Sequence, residues 1–287
     1  MESIDRLDAL LRRFGVQAQQ FFDGTLCDQR RFEPRPGRGF LHILRAGSMA
    51  VDDGAGTGRW LSEPTLLFYP RAHDHTFVPG PGRGVDLACA TLAFDGGASH
   101  PLVAALPDVV SVPISEVAGL DATLDLLASE IDGVACGHRH IVDRLFEIVL
   151  LKLLRHLLDR PGEHGINRGM IGGLADPQIA RALGAVHAEP GEPWTLETLA
   201  REAAMSRSAF AARFRDLVGA TPHDYLTEWR MTVGKQLLRR QLPVSEVAAT
   251  LGYTGSSFAR VFAQRVGESP RAWAAGASSA PRASGGR

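Results

Sequence analysis

A chain of 287 residues with 45% apolar and 22% charged side chains has the length and composition of two ordinary globular domains, each able to bury a core. No apolar run reaches the roughly 18–20 residues of a membrane span; the polar start Met1 to Arg13 does not resemble a secretory signal, and Cys27, Cys89 and Cys136 form neither a CxxC pair nor an even disulfide framework, so a membrane partner is excluded and a cytoplasmic location with reduced cysteines is expected. The net charge of −1 conceals an asymmetry: from residue 190 onward 13 Lys and Arg face 8 Asp and Glu, whereas the rest of the chain carries 18 against 24, so the C-terminal part has the sign that phosphate contact needs.

Residues 3–14 read as a short amphipathic helix, capped by Ser3, with Ile4, Leu7, Leu10, Leu11 and Phe14 inward. The texture then changes to short apolar or alternating runs at 40–44, 49–51, 65–69, 75–78 and 85–94, separated by Gly and Pro clusters, which is the spacing of a small barrel or jelly roll. Within it, His73 and His75 form an HxH pair, and on a strand this spacing places both imidazoles on one face; His42, from another run, could supply a third ligand to a divalent metal. With no carboxylate to place beside them, the same three residues read sooner as ordinary polar groups at a barrel mouth, which leaves a pocket for a small effector and weighs against a catalytic metal. Two helices follow, at 120–131 and 141–158. The second is apolar on two faces and must be covered twice, on one side by the β-rich module and on the other by a second subunit or by its own domain. Five glycines and a proline between Arg160 and Gly173 read as a linker, and Asp176-Pro177 restarts a helix with a cap and an N1 proline.

The C-terminal part holds an internal repeat. Leu199, Ala200, Phe210, Phe214, Gly219, Pro222 and Tyr225, shifted by 48 residues without a gap, fall on Val247, Ala248, Phe258, Phe262, Gly267, Pro270 and Trp273. Each copy reads as helix, tight turn and second helix. In the first copy Thr195 caps a helix with Leu196, Leu199, Ala200 and Ala203 on one face, and Ser206 caps a second helix backed by Phe210, Phe214 and Leu217 and closed by Gly219. A helix whose back is pinned by two phenylalanines and whose front carries Arg and Ser suits a major groove. The copies are joined by a helical stretch from His223 to Arg240, with Leu226, Trp229, Val233 and Leu237 on one side.

The residues from Met205 through Tyr225, Trp229, Arg230 and Met231 to Gly252, Tyr253, Phe258, Arg260, Phe262, Gly267, Ser269 and Pro270 resemble the AraC/XylS family of transcription regulators. Pro70 before His75, with Cys89 to Gly97 followed by Pro101, Leu102, Leu106 and Pro107, resembles the cupin-like N-terminal domain of one branch of that family, although Glu63-Pro64 replaces the Gly-Asp that usually precedes the second cupin strand. The resemblance implies an α+β chain: a cupin-like β-barrel with flanking helices for effector binding and dimerisation (1–160), a linker (161–173), a double helix-turn-helix domain (174–275) and a disordered tail (276–287, with order ending after Trp273). It implies a non-enzymatic regulator whose partners are double-stranded promoter DNA, a second copy of the chain, a small-molecule effector and RNA polymerase.

On the second recognition helix Ser256, Arg260 and Gln264 lie opposite the phenylalanines at i, i+4 and i+8, and Arg260 stands two before Phe262, where family members commonly carry a base-contacting arginine. The matching first-helix position is Ala212, flanked by Arg207, Ser208, Arg213 and Arg215, so that helix is expected to touch mainly backbone. The turn before Phe258 is one residue shorter than is usual in the family. Two other functions set themselves against this reading: a cupin metalloenzyme with His42, His73 and His75 as ligands, and DNA-alkylation repair through a nucleophilic cysteine, which would need an activating neighbour that none of the three cysteines has in the sequence.

Overall fold

The computed structural model describes residues 5–54, 58–82, 84–133 and 135–279, in two compact units. One runs from Phe14 to Ile171. The other takes in Gly172 onward together with the N-terminal segment through Arg13.

Among the described residues the first unit is built on nine strands: β1 (Val16–Leu26), β2 (Arg30–Phe32), β3 (Arg38–Ala46), β4 (Met49–Asp52), β5 (Arg59–Leu61), β6 (Thr65–Tyr69), β7 (His75–Pro79), β8 (Val85–Phe94) and β9 (Val110–Pro113). They pair antiparallel into a five-stranded sheet, β1-β8-β3-β6-β9, and a four-stranded sheet, β2-β7-β4-β5. The sheets enclose one core, to which the first gives Phe40, Leu44, Leu67, Tyr69, Leu87 and Cys89, and the second Phe32, Met49, Val51 and Phe77. The expected barrel is thus a cupin-like jelly roll of two facing sheets, with no ladder joining them among the described residues.

Helix α2 (Pro101–Ala105) is capped by His100, and α3 (Asp121–Asp132) leads into the 22-residue α4 (His138–Asp159). α4 lies along β1, an edge strand whose free N–H groups need acceptors. Asp143 accepts from Gln20 N at 2.8 Å and Glu147 from Ala18 N at 3.1 Å. Packing against β1 and α3 buries ten of its residues, including Leu150 and Leu157. The expectation that much of the apolar surface would be left for a partner is therefore corrected: only Ile141 and Ile148, one two-turn step apart, remain about two-fifths exposed. The stretch read as a linker is ordered, because Ile166, Met170 and Ile171 interrupt its glycines and are buried; α5 (Gly169–Ala175) spans the passage from one unit to the other.

The second unit contains α1 (Asp8–Arg13), α6 (Pro177–Ala188), α7 (Leu196–Glu202), α8 (Arg207–Val218), α9 (Pro222–Arg239), α10 (Val244–Thr250), α11 (Gly255–Val266) and α12 (Pro270–Ser279). The capping role expected of Ser3 falls, with Ile4, outside the described residues; Asp5 accepts from Leu7 N instead. α1 packs on α6 and buries Leu7 and Leu10, while Gln236 of α9 donates to the Arg13 carbonyl and Arg13 to the Ala188 carbonyl. At the other end the chain does not lose order after Trp273: Ser269 caps α12, Pro270 occupies N1, and alanines, the best helix formers, continue it to Ser279. Residues 280–287 of the expected tail lie outside the described residues.

Candidate nucleic-acid interface and effector pocket

The 48-residue shift holds at the level of geometry. α7 and α8 are separated by 203–206, and α10 and α11 by 251–254, four residues in each case, so the second turn has the length of the first. Ala204 (φ 52°) and Gly252 (φ 72°) occupy matching left-handed positions in the two turns. Ser206 caps α8 through Ala209 N and Thr254 caps α11 through Ser257 N, both at 3.3 Å. Thr195 and Thr198 form a reciprocal capping box at the start of α7. Phe210 and Phe214 pin the back of α8, joined by Val218 and not by the half-buried Leu217; Phe258 and Phe262 pin α11. Leu196, read as inward, is the first residue of α7 and is 42% exposed; Leu199 and Ala200 are the buried residues of that helix.

The opposite faces are open. Ser256, Arg260 and Gln264 on α11 are exposed together, as are Arg207, Ser208, Ala212 and Arg215 on α8. Arg207, Arg215 and Arg260 make no ion pair among the described residues. Asp216 of α8 stands at the position matching Gln264, which places an acid in the first helix where the second has a neutral donor.

Three further arginines of this unit are engaged elsewhere. Arg213 is bound by Asp176, the cap of α6. Burial alone would raise that carboxyl, yet the guanidinium and the N–H groups of Ile179 and Gln178 hold it below the usual carboxylate value. Arg265 reaches back from α11 to Asp224 (2.9 Å) and Glu228 (3.1 Å) of α9. Arg230 of α9 donates to the carbonyls of Pro190 (2.6 Å) and Glu192 (2.8 Å), and its guanidinium lies 5.1 Å from the centre of the Tyr253 ring in the second turn. There Gly191 and Gly252 bring their backbones so close that a Cβ on either would fall within 2.4 Å of a carbonyl oxygen. Arg230 therefore joins the approach to the first helix-turn-helix pair to the turn of the second.

In the β-sandwich the structure brings together two of the three histidines. His42 and His75 are buried with their Nε2 atoms 2.9 Å apart. His75 Nδ1 sits 3.1 Å from the His73 carbonyl, which only accepts, so that nitrogen carries the hydrogen and Nε2 accepts from His42. His42 Nδ1 is then a bare lone pair, and neither it nor the buried Tyr69 hydroxyl has a hydrogen-bond partner among the described residues. Burial holds His75 down to about 4, and burial, His75 and Arg30 hold His42 well below the ordinary imidazole value; both rings are neutral. His73 does not join them. It precedes β7, so two-residue strand alternation does not govern it, and its Nε2 meets the Asp53 carbonyl at 3.1 Å. Among the described residues no three His, Cys, Asp or Glu side chains are grouped to hold a metal. Cys89 is buried and its thiol is pushed up by desolvation, the opposite of activation; Cys27 and Cys136 are exposed.

No helix of the described residues is long and apolar enough to cross a membrane. A cupin profile matches residues 5–159 and a helix-turn-helix domain profile residues 199–276. A Streptomyces antibioticus protein described as an AraC-like transcription regulator is 33% identical over 201 residues, 69% of this chain; this chain spans 66% of that relative's length. The HTH-type transcriptional regulator MtrA of Neisseria gonorrhoeae is 26% identical over 296 residues, 94% of this chain and 97% of its own. Among solved structures, the DNA-binding domain of AdpA, a global transcriptional factor in complex with a target DNA, is 33% identical and covers 35% of this chain and 92% of its own, with a TM-score of 0.34. Fold and profiles together define a cupin-type β domain followed by a helix-turn-helix domain. The chain belongs to the AraC/XylS family of transcription regulators, in the branch with a cupin N-terminal domain.

Proposed function

We propose that the chain binds promoter DNA in the cytoplasm with both helix-turn-helix pairs, α8 and α11 entering successive major-groove faces, and that a small molecule held in the cupin domain adjusts this binding. The observation that carries the reading is the repeat itself: two equally built second helices, each pinned behind by two phenylalanines and open in front, joined by α9, whose 18 residues span about 27 Å, against about 34 Å per turn of B-DNA. In this reading Arg260 takes a base, because it is exposed, unpaired and able to contact guanine through two donors, while Ala212 offers only a methyl group and Arg207 and Arg215 hold phosphates. The chain acts by binding and not by catalysis, as a homodimer with Ile141 and Ile148 at the contact and with RNA polymerase as a further partner on the promoter. Selection of bound sequences from a random DNA pool by the full-length chain tests this. Enrichment of a motif with two blocks about one helical turn apart is expected; a pool that stays random at every salt concentration overturns it.

A further inference from the structure

A cleft of 340 Å³ opens on the β2 side of the cupin domain, at the small end of the range for ligand pockets. Its floor is aromatic: the half-buried Phe21 meets the buried Phe32 and Phe40 edge to face, with ring centres 6.0–6.4 Å apart. Its rim is cationic. Arg30 lies 4.4 Å from the centre of the Phe22 ring and 5.5 Å from that of Phe32, and Arg35 lies 5.5 Å from that of Phe21. Arg31, also on the rim, is neutralised by Asp74 at 2.5 Å, and the exposed Glu33 is the one carboxylate among the lining residues. Arg30 and Arg35 make no ion pair among the described residues, so two guanidinium groups are held over rings with their donors unspent. Beneath the floor, Phe32 stacks on His75 (5.0 Å, 12°) and Phe40 on His42 (5.7 Å, 16°), so the cleft abuts the pair that carries the bare His42 lone pair.

We infer that this cleft is a binding site for a small organic anion, a carboxylate on an apolar or aromatic body, with Arg30 and Arg35 taking the carboxylate and Phe21, backed by the buried Phe32 and Phe40, the body. A neutral ligand of the same shape would leave both guanidinium groups without a counter-charge, whereas a bare inorganic anion would leave the accessible face of Phe21 uncovered. Charge-assisted bonds from arginine to carboxylate supply the selection for charge, and burial of the body against the rings supplies the selection for apolar bulk. The inference rests on the effector-domain reading given above, but it names the site and the chemistry, which that reading leaves open.

The test uses the full-length chain and two matched pairs of probes, octanoate with octanamide and 1-naphthoate with 1-naphthamide. Calorimetric titration and thermal shift are expected to show at least one carboxylate binding about tenfold or more tighter than its amide. Arg30→Gln with Arg35→Gln should abolish that preference while leaving the unliganded melting temperature close to that of the parent. If the double variant melts early, Arg35→Gln alone, on an exposed side chain, should still weaken the carboxylate. Equal affinity for acid and amide, no binding of either carboxylate, or an acid preference that survives both variants overturns the assignment. DNA affinity measured in parallel separates the two readings: carboxylate binding that leaves DNA affinity unchanged keeps the anion site and removes effector control, whereas DNA affinity altered by an amide alone keeps effector control and removes the anion site.

Discussion

Arg230 is the side chain whose loss the structure converts most directly into a number. Its two hydrogen bonds go to backbone carbonyls of the loop before α7, and its cation–π contact goes to the turn before α11. Hydrogen bonds from a charged donor contribute about 1.5–3 kcal/mol when buried, and a cation–π contact at an exposed site about 0.5–1. Arg230 is half-buried and one of its bonds is exposed, so the lower ends apply and the three contacts are not additive. Arg230→Met, which keeps the apolar stem, is expected to cost the DNA-binding unit about 3 kcal/mol, a fall in melting temperature of roughly 10 °C for a domain of this size. Arg230→Lys can meet one carbonyl but not fork to both, and should lose about half as much. Thermal unfolding of the full-length chain, followed by circular dichroism at 222 nm, reads both. The clamp is refuted if Arg230→Met melts within 2 °C of the parent, or if lysine serves as well as arginine.

Leu10→Ala, at a fully buried position of α1, should cost about 2–5 kcal/mol, and hydrogen exchange should show the lost protection in α6 and α9, where the DNA-binding unit receives the N-terminal helix; loss confined to the β-sandwich would contradict this. Acid should destabilise both units: the buried His75 and His100 are held to about 4 and His187 to about 3, all by burial first, so each stays neutral in the fold while the unfolded chain takes up a proton below about 6.5. Their contribution is intact above that pH and falls by about 2 kcal/mol per histidine by pH 5, which denaturant titrations at pH 7.5 and 5 should resolve. Ile141→Glu with Ile148→Glu should convert a dimer to a monomer in light scattering without loss of helix content; a parent protein that is already monomeric removes the α4 contact.

The C-terminal unit was legible in the sequence because its architecture is periodic. A fixed shift of 48 residues, caps at Thr195 and Ser206 and phenylalanines four apart each leave a local mark. What escaped was long-range. Nothing local tells that Arg213 is bound to Asp176 while Arg215, two residues on, stays open, or that Arg230 is a clamp, because each partner lies some 40 residues away along the chain. The first residues group with the last hundred for a reason invisible to pattern: the pocket for Leu10 is made by tertiary packing. In the cupin domain β3, β4, β6, β7 and β8 were legible as apolar or alternating runs, whereas β1, β2, β5 and β9 were not; and an HxH spacing fixes a shared face only where both residues lie in the strand, while β7 begins at His75. The second apolar face of α4 looked available to a partner because hydropathy does not reveal that α3 and β1 already cover most of it, Leu150 and Leu157 included.

The central claim, that two unequal recognition helices divide the work between base and backbone, is tested most directly by binding single-base operator variants to Arg260→Ala and Arg207→Ala at two salt concentrations. Arg260→Ala is predicted to lose about 1–3 kcal/mol on the preferred site and to become indifferent to one base pair, whereas Arg207→Ala weakens every variant alike and lowers the salt slope by about one. The reverse pattern, with Arg260→Ala weakening all variants equally and Arg207→Ala changing which base is preferred, would contradict it.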